Sequence, residues 1–221
     1  MKPRIAIDGP AGAGKSTVAR SVATRLGLIY LDTGAMYRAI TLAALRRNFD
    51  LHNDKALEAL TQSVKLDIKN ENSNGHNVIY IDGENVSDAI RSPEVSRNVS
   101  YVACSPLVRG IMGKLQREFA VRGGVVMDGR DIGTHVMPDA EYKFFLTASL
   151  QERSRRRLAE LVDRGEKIEL LQMMDEISAR DKIDSEREHA PLRAAPDAIH
   201  IDTTEMTIEQ VITSIISRVG E

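Results

Sequence analysis

A glycine-rich segment near the start of the chain restricts the possible folds more than any other stretch of the sequence. It follows the spacing G-x-x-x-x-G-K-[ST], whose fixed positions are Gly9, Gly14, Lys15 and Ser16. A short apolar run precedes the segment, and apolar residues at helical spacing follow it. The segment is therefore predicted to connect a buried strand to the N-terminus of a helix, a connection typical of α/β proteins.

Such a segment is suited to bind a polyphosphate. Its glycines can adopt positive φ, so successive backbone N–H groups can converge on one anion, and the helix adds further donors and the positive end of its dipole. Lys15 would provide a point charge for the outer phosphates, and the Ser16 hydroxyl a ligand for Mg²⁺. A glycine-rich turn that carries the spacing by chance is the alternative, and the flanking strand and helix disfavour it. We expect a nucleoside triphosphate to bind to Gly9, Pro10, Ala11, Gly12, Ala13, Gly14, Lys15, Ser16 and Thr17.

The rest of the chain alternates short apolar runs with helical patterns. Each run has the length of a buried strand, and a helical pattern lies between most of them. This order predicts an α/β fold with a five-stranded parallel sheet and helices on both faces. The five runs are Arg4 to Ile7, Leu28 to Leu31, Gly124 to Met127, Tyr142 to Leu146 and Ala198 to Ile201.

One segment breaks this alternation. Val64 to Ile68 alternates apolar and polar residues, Val78 to Ile81 is β-prone, and the turn-forming Asn72 to Gly75 lies between them, with Asp82 and Gly83 following. The pattern predicts a small antiparallel hairpin. We interpret the segment as an inserted lobe at 62–92 in a core domain of 1–61 and 93–221.

Composition limits the classes of partner and compartment. The 221 residues suffice for a sizeable core, and the formal charge of −2 lacks the basic excess of a typical nucleic-acid binder. The single cysteine, Cys104, cannot form an intramolecular disulfide and fits a reducing compartment. There is no signal-peptide pattern and no apolar run of membrane-spanning length. We expect a soluble cytoplasmic protein with neither a nucleic-acid nor a membrane partner.

An acidic residue marks the end of the third apolar run. Asp128 follows this strand directly, and in phosphate-loop proteins such a residue commonly serves the metal ion. Arg130 would emerge at the carboxyl ends of the strands, where open α/β sheets bind ligands. A simple Asp-Gly turn is the alternative. The position after a buried strand favours a functional site.

Two arginines are predicted near helix N-termini, where a cation faces the positive end of the dipole. Arg38 follows the turn at Asp32, and Arg109 follows the helix start at Ser105. A solvated arginine without a partner is the alternative for each. Together they favour a second anion site.

The last third of the chain contributes two further groups of charged residues. Four arginines lie between residues 153 and 157, in a helix predicted as part of a lid at about 150–167. They cannot all face one ligand, and pairing with Glu152 and Glu160 could account for two of them. Arg180, Asp184 and Arg187 lie on one face of a later helix, where they form either a salt-bridge ladder or a substrate-binding stripe.

These features narrow the function to a nucleotide-using phosphotransferase or a nucleotide switch. The chain lacks the Asp-x-x-Gly and Asn-Lys-x-Asp motifs of a GTP-driven switch. Separate arginines on different elements instead point to a second phosphorylated substrate.

Several stretches of the sequence carry a resemblance to one known family. They are Ile7 to Thr17, Leu31 to Arg38, Ile90 to Ser92 leading to Val108 and Arg109, Asp128 to Thr134, Met137 to Ala140, and Ala190 to Leu192. The Asp-Gly-Arg-Asp and Thr-Gly-Ala-x-Tyr-Arg blocks among them are more specific than the phosphate loop, which many families share. In these stretches the chain closely resembles the bacterial cytidylate kinase family, and the resemblance covers nearly its whole length. One departure lies in the lid, where Ser154 replaces the family's usual alanine.

The resemblance implies a P-loop kinase fold and transfer of the γ-phosphoryl group of ATP to CMP or dCMP. It also implies that the reaction requires Mg²⁺ and that the protein is a monomer. By similarity, Ser100, Arg109 and Asp131 read the cytosine, Arg180 and Asp184 contact the ribose, and Arg38, Arg130 and Arg187 hold the acceptor phosphate, with Thr33 beside them. Ser16 and Asp128 would serve the metal. Our catalytic assignments are Lys15, Arg130, Arg153 and Arg157.

Two other functions remain open on the sequence alone. One is a kinase for another small acceptor, such as a different nucleoside monophosphate or a metabolite hydroxyl. The other is an ATP-binding regulatory module whose arginines bind a protein or RNA.

Overall fold

The main sheet of the protein consists of five parallel strands, and a smaller sheet has three strands. The computed structural model describes residues 2–70, 77–121, 123–163, 165 and 168–220. The strands are β1 (Arg4–Asp8), β2 (Ile29–Asp32), β3 (Leu66–Asn70), β4 (Asn77–Ile81), β5 (Glu84–Asn85), β6 (Val125–Gly129), β7 (Tyr142–Thr147) and β8 (Ile199–Asp202). The helices are α1 (Lys15–Leu26), α2 (Thr33–Arg46), α3 (Asp54–Ser63), α4 (Pro93–Cys104), α5 (Pro106–Val121), α6 (Leu150–Val162), α7 (Leu170–Glu186) and α8 (Ile208–Val219).

The strand order of this sheet is β2-β6-β1-β7-β8, and every neighbouring pair is parallel. The five predicted strands and their parallel arrangement are thereby confirmed. Because β1 is central, the loop that follows it opens at the middle of the carboxyl edge. That edge is where open α/β sheets bind ligands.

Alternate residues of β1, β2 and β6 pack against different helical layers. On β1, Ile5 and Ile7 belong to a buried cluster with α1 and α8, whereas Ala6 belongs to the cluster that contains α2, α4 and α5. Both faces of the sheet are therefore covered, as the near-continuous apolar strands predicted. The two layers hold the carboxyl edge of the sheet rigid from both sides.

The interruption of the pattern after residue 62 forms a second, antiparallel sheet of order β3-β4-β5. The predicted turn at Asn72 to Gly75 lies outside the described residues. Asp82 and Gly83 make a tight turn with φ of 51° and 89°, which leads into the third strand, β5. The two-residue β5 was not predicted, because it is too short for an alternating pattern. Ile79 and Ile81 of β4 join the same buried cluster as α2, so this sheet packs directly on the core.

Local capping determines where the helices near the cleft begin. The Asp32 carboxylate accepts from the Ala35 N–H at 2.8 Å at the start of α2, and the Ser92 hydroxyl accepts from the Val95 N–H at the start of α4. The predicted helix start at Ser105 is confirmed, because α5 begins at the next residue, Pro106. None of the described helices combines the length and apolar content needed to cross a lipid bilayer.

Candidate active site

The glycine-rich loop turns sharply between β1 and α1. Gly9, Gly12 and Gly14 all have positive φ, at 149°, 76° and 81°. A Cβ on Gly9 would lie 2.0 Å from the Leu146 carbonyl oxygen, so glycine is required there by space as well as by conformation. The loop thus turns its backbone toward the N-terminus of α1, where unpaired N–H groups and the helix dipole favour an anion.

Lys15 and Ser16 extend from the first turn of α1 into a cavity of about 850 Å³. The Lys15 ammonium donates to the Pro10 carbonyl oxygen at 2.6 Å and is buried. Burial and the nearby Arg130 lower the pKa of Lys15 well below its usual value. An anion in the loop would offset both effects, because it would supply the missing opposite charge.

A hydroxyl and a carboxylate meet at the base of the loop. Ser16 Oγ donates to Asp128 Oδ2 at 2.7 Å, and the Tyr30 hydroxyl donates to Asp128 Oδ1 at 2.8 Å. Burial, with a further contribution from Asp32, raises the pKa of Asp128 to about 6. Within the described part of the chain, no group of three or more His, Cys, Asp or Glu side chains could hold an ion alone. The two oxygen donors fit Mg²⁺, which commonly takes few protein ligands and completes its shell with phosphates and water.

The cavity runs from the loop to a group of arginines on other elements. All nine residues predicted to bind the acceptor line it, and so do Lys15, Arg157 and Asp128. Those nine come from α2, α4, α5, the segment after β6, and α7 with the residue that follows it, and are Thr33, Arg38, Ser100, Arg109, Arg130, Asp131, Arg180, Asp184 and Arg187. Residues distant in sequence therefore share one site.

The cavity is strongly cationic although the whole chain is slightly acidic. Its described lining includes eleven Lys and Arg side chains against seven Asp and Glu, while the formal charge of the chain is −2. Arg38 Nε and Arg180 Nε are buried without a hydrogen-bond partner among the described residues. Burial, followed by the charge of Arg130, lowers the pKa of Arg180 to about 10. The site therefore has unsatisfied donors and excess positive charge, which an anionic ligand would neutralise.

Two ion-pair groups hold the remaining polar side chains in place. Arg109 and Arg187 both donate to the Asp131 carboxylate, the latter at 3.3 Å. In the second group, Asp184 accepts from Arg130 Nε at 2.9 Å and from Ser100 Oγ at 3.0 Å. Although burial raises the pKa of Asp184, the arginines around it bring that pKa below its ordinary value. Asp184 is therefore ionised and fixed in position.

The four arginines of α6 face different surroundings. Arg157 lines the cavity and donates to Glu160 at 2.7 Å and to Ser96 Oγ on α4 at 3.3 Å. Arg156 also lines it and donates to Glu152 and Thr203. Arg155 is mostly exposed. Arg153 is buried outside the cavity lining, with its guanidinium donating to protein groups.

Gly9 and Pro10 of the predicted loop also lie outside the cavity lining, although Ala11 to Thr17 are part of it. Gly9 shapes the turn, and Pro10 contributes the carbonyl that Lys15 contacts.

Several site residues escaped the sequence analysis. Asp8 accepts from the backbone N–H groups of Ile132 and Gly133 at 2.8 and 2.7 Å, which anchors the turn that follows Asp131. The sequence signal for Asp8 is an acidic residue at the end of an apolar strand, which is the same signal that predicts a role for Asp128. Other lining residues lie in or near the segment between β8 and α8, which has no pattern that distinguishes it from an ordinary loop: Thr203, Met206, Thr207, Ile208 and Val211.

Comparisons with known proteins agree with this geometry. The sequence matches the cytidylate kinase family profile over residues 5–221. It is 52% identical over 220 residues to a cytidylate kinase of Anoxybacillus flavithermus, covering 100% of this chain and 97% of that one. It is also 52% identical over 217 residues to a cytidylate kinase of Geobacillus thermodenitrificans, covering 98% and 96%.

One solved structure, an uncharacterized protein from Eubacterium ventriosum, aligns with a TM-score of 0.52 at 11% identity and covers 100% of this chain and 99% of that one. At that identity the likeness concerns the fold alone. The two sequence relatives share about half of their residues with this chain over nearly its whole length. The chain belongs to the cytidylate kinase family.

Proposed function

We propose that this protein transfers the γ-phosphoryl group of ATP to CMP or dCMP, giving ADP and CDP or dCDP. The observation that carries the proposal is a single cavity with a phosphate loop at one end and arginines from several elements at the other. Such a cavity suits two polyanions held end to end. At the second end lie the buried Nε atoms of Arg38 and Arg180, which have no hydrogen-bond partner among the residues that the structure describes and which an acceptor nucleotide would satisfy.

The reaction needs alignment and charge neutralisation more than acid–base chemistry. The acceptor phosphate already presents a charged oxygen as the nucleophile, so no side chain has to remove a proton. Lys15 of the loop and Arg130 after β6 both line the cavity, and so does Arg157 of α6. These three cations would stabilise the charge on the transferring phosphoryl group.

Mg²⁺ would be held by Ser16 and Asp128, whose oxygens lie 2.7 Å apart. When bound, the ion would neutralise part of the negative charge on the phosphates of the nucleotide. Tyr30 and Ser16 both donate to the Asp128 carboxylate and so fix its orientation before the nucleotide arrives.

At the acceptor end, Asp131 and Arg109 would read the cytosine edge. Asp131 offers acceptor oxygens for an amino group such as N4 of cytosine, and Arg109 offers donors for a ring nitrogen or carbonyl oxygen. Because uracil presents a carbonyl oxygen where cytosine presents the amino group, a carboxylate disfavours UMP. Asp184 and Arg180 would hold the ribose, and Arg38, Arg130 and Arg187 the phosphate.

The single cysteine suits a reducing compartment, and we propose that the enzyme acts in the cytoplasm as a monomer, following the family pattern.

A coupled assay of ATP consumption against CMP, dCMP, UMP, AMP and dTMP tests the proposal. We expect rapid transfer to CMP and dCMP only. ADP formation with none of the five monophosphates would contradict the assignment as a kinase, and a preference for AMP or dTMP would contradict the assigned acceptor.

Asp131→Ala provides a test at residue level. We expect the CMP-to-UMP ratio of kcat/KM to fall by about 10-fold or more, as for the loss of a hydrogen bond to a charged group. The KM for ATP should remain unchanged, because Asp131 lies at the acceptor end. Equal loss toward both substrates would contradict the role of Asp131 in base selection.

A further inference from the structure

A carboxylate outside the cavity lining joins three elements of the site. Asp181, on α7, accepts from the Ala11 backbone N–H at 3.1 Å through Oδ1. Its Oδ2 accepts from Arg153 Nη1 at 2.5 Å, and the same Nη1 donates to the Ala11 carbonyl oxygen at 2.9 Å. The donor loop, the first turns of α6 and the helix α7 are thus connected through one closed group of hydrogen bonds.

Close packing surrounds these hydrogen bonds. A Cβ on Gly12 would lie 2.8 Å from the Arg153 carbonyl oxygen, so α6 rests directly on the loop. Ala11 also packs in a buried apolar cluster with Leu161, Met173 and Ile177 of α6 and α7. Arg153 Nε donates to the Ala148 carbonyl oxygen, so two nitrogens of its guanidinium are engaged by hydrogen bonds behind the loop. Arg153 is therefore placed to organise the site from behind the loop.

Asp181 lies on the same helix, α7, as two residues predicted to bind the acceptor. Its neighbours along the helix, Arg180 and Asp184, face the acceptor end of the cavity. Asp181 contacts the loop at the donor end. The two ends of the cavity therefore share one rigid helix, and the Asp181 contact determines where that helix lies relative to the loop.

We propose that Asp181 is a positioning residue, which together with Arg153 fixes the acceptor-binding helix α7 against the donor loop so that the two reacting phosphates meet in line. The inference rests on the proposed kinase function. It gives Arg153 a positioning role in place of contact with the transferring phosphoryl group. Misplacing reacting groups by about 1 Å can cost on the order of 10²-fold in rate, so a contact behind the loop can control turnover.

The test compares Asp181→Asn with the wild-type enzyme. Asparagine keeps an acceptor for the Ala11 N–H but loses the charge that holds Arg153. We expect kcat with CMP to fall by about 10- to 100-fold. The KM for ATP should stay equal or decrease, because a carboxylate beside the loop repels the triphosphate.

A double-mutant cycle with Asp181→Asn and Arg153→Met tests whether the two residues act together. If Arg153 and Asp181 act as one unit, the double variant loses no more kcat than the more impaired single variant. Multiplicative losses would overturn the pairing. Asp175→Asn is the matched control, because Asp175 is an exposed carboxylate on the same helix, and its kcat should remain within about 2-fold of wild type.

Binding stoichiometry separates positioning from loss of fold. By isothermal titration calorimetry, Asp181→Asn should bind one ATP and one CMP per chain with near wild-type affinity while its kcat is reduced. An unchanged kcat, or a stoichiometry that decreases in proportion to kcat, would overturn the inference. A wild-type enzyme that does not phosphorylate CMP would instead contradict the proposed function, so the two failures can be distinguished.

Discussion

Arg180→Met should stabilise the ligand-free protein while weakening its acceptor site. Within the part of the chain that the structure describes, Arg180 Nε is buried without a hydrogen-bond partner, and its distance of 4.0 Å to Asp184 Oδ2 is too long for a hydrogen bond. Asp184 would remain satisfied after the substitution, because Arg130 and Ser100 still donate to it. Methionine keeps most of the apolar part of the side chain and the helix propensity of the position.

The expected magnitudes follow from this geometry. A buried unsatisfied donor costs about 1–3 kcal/mol, and part of that cost disappears with the guanidinium. We expect the free energy of unfolding to rise by about 1 kcal/mol, which corresponds to roughly 2–4 °C in Tm for a chain of this size. A lost hydrogen bond from a charged donor to the acceptor nucleotide costs about 1.5–3 kcal/mol, so the KM for CMP should rise by roughly 10- to 150-fold.

Thermal unfolding without ligands and steady-state kinetics with CMP test the two effects on one protein preparation. Lys182→Met is the matched control, because Lys182 is exposed on the same helix, and neither its Tm nor its KM should change. A lower Tm for Arg180→Met would refute the account of an unsatisfied buried cation. An unchanged KM for CMP would refute the place of Arg180 in the acceptor site.

Two further substitutions test the donor end and a surface ion cluster. Lys15→Ala should lower kcat by about 10²- to 10³-fold with an unchanged circular dichroism spectrum, since Lys15 would neutralise the phosphates; near-normal turnover would contradict this role. Arg4→Gln should lower the free energy of unfolding by about 1 kcal/mol at pH 7, because Arg4 pairs with Asp139 and Glu141 on the surface. Hydrogen bonds from Arg4 lower the pKa of Glu141 from 4.5 to about 2, so the difference from wild type should be full above pH 4.5 and shrink as the pH falls toward 2. Urea titrations at pH 7, 4 and 3 measure it, and a difference that grows with acid would be the wrong sign.

The sheet could be predicted from the sequence because its strands are buried on both faces. Residues such as Ile5 to Ile7 and Val125 to Met127 are continuously apolar. Because helical patterns lie between most of the strands, the strands are expected to pair in parallel. The loop and the end of β6 were predictable for a related reason. The glycines of the loop and the acidic residue at the end of β6 adjoin buried strands in the sequence. Once the strands are predicted, these residues can therefore be placed at the edge of the sheet.

Side-chain partners could not be predicted in the same way. The spacing of the arginines predicts that Arg153 lies on a helix near the cavity. In the structure its guanidinium donates to Ala11 and Asp181 instead of lining the cavity, and this choice depends on how α6 packs against the loop. Asn77 is a similar case. Its side-chain amide donates to the Tyr30 carbonyl oxygen at 2.9 Å and accepts from the Asp32 N–H at 2.6 Å, so it pairs with the edge of β2 as a neighbouring strand would. A lone asparagine gives no such signal in a sequence.

A crystal structure with bound CMP tests the central claim most directly. We expect the nucleotide phosphate within hydrogen-bond distance of Arg38 and Arg130, with the cytosine beside Arg109 and Asp131. Density for CMP anywhere else on the protein, with those arginines unliganded, would contradict a cavity that holds two polyanions end to end.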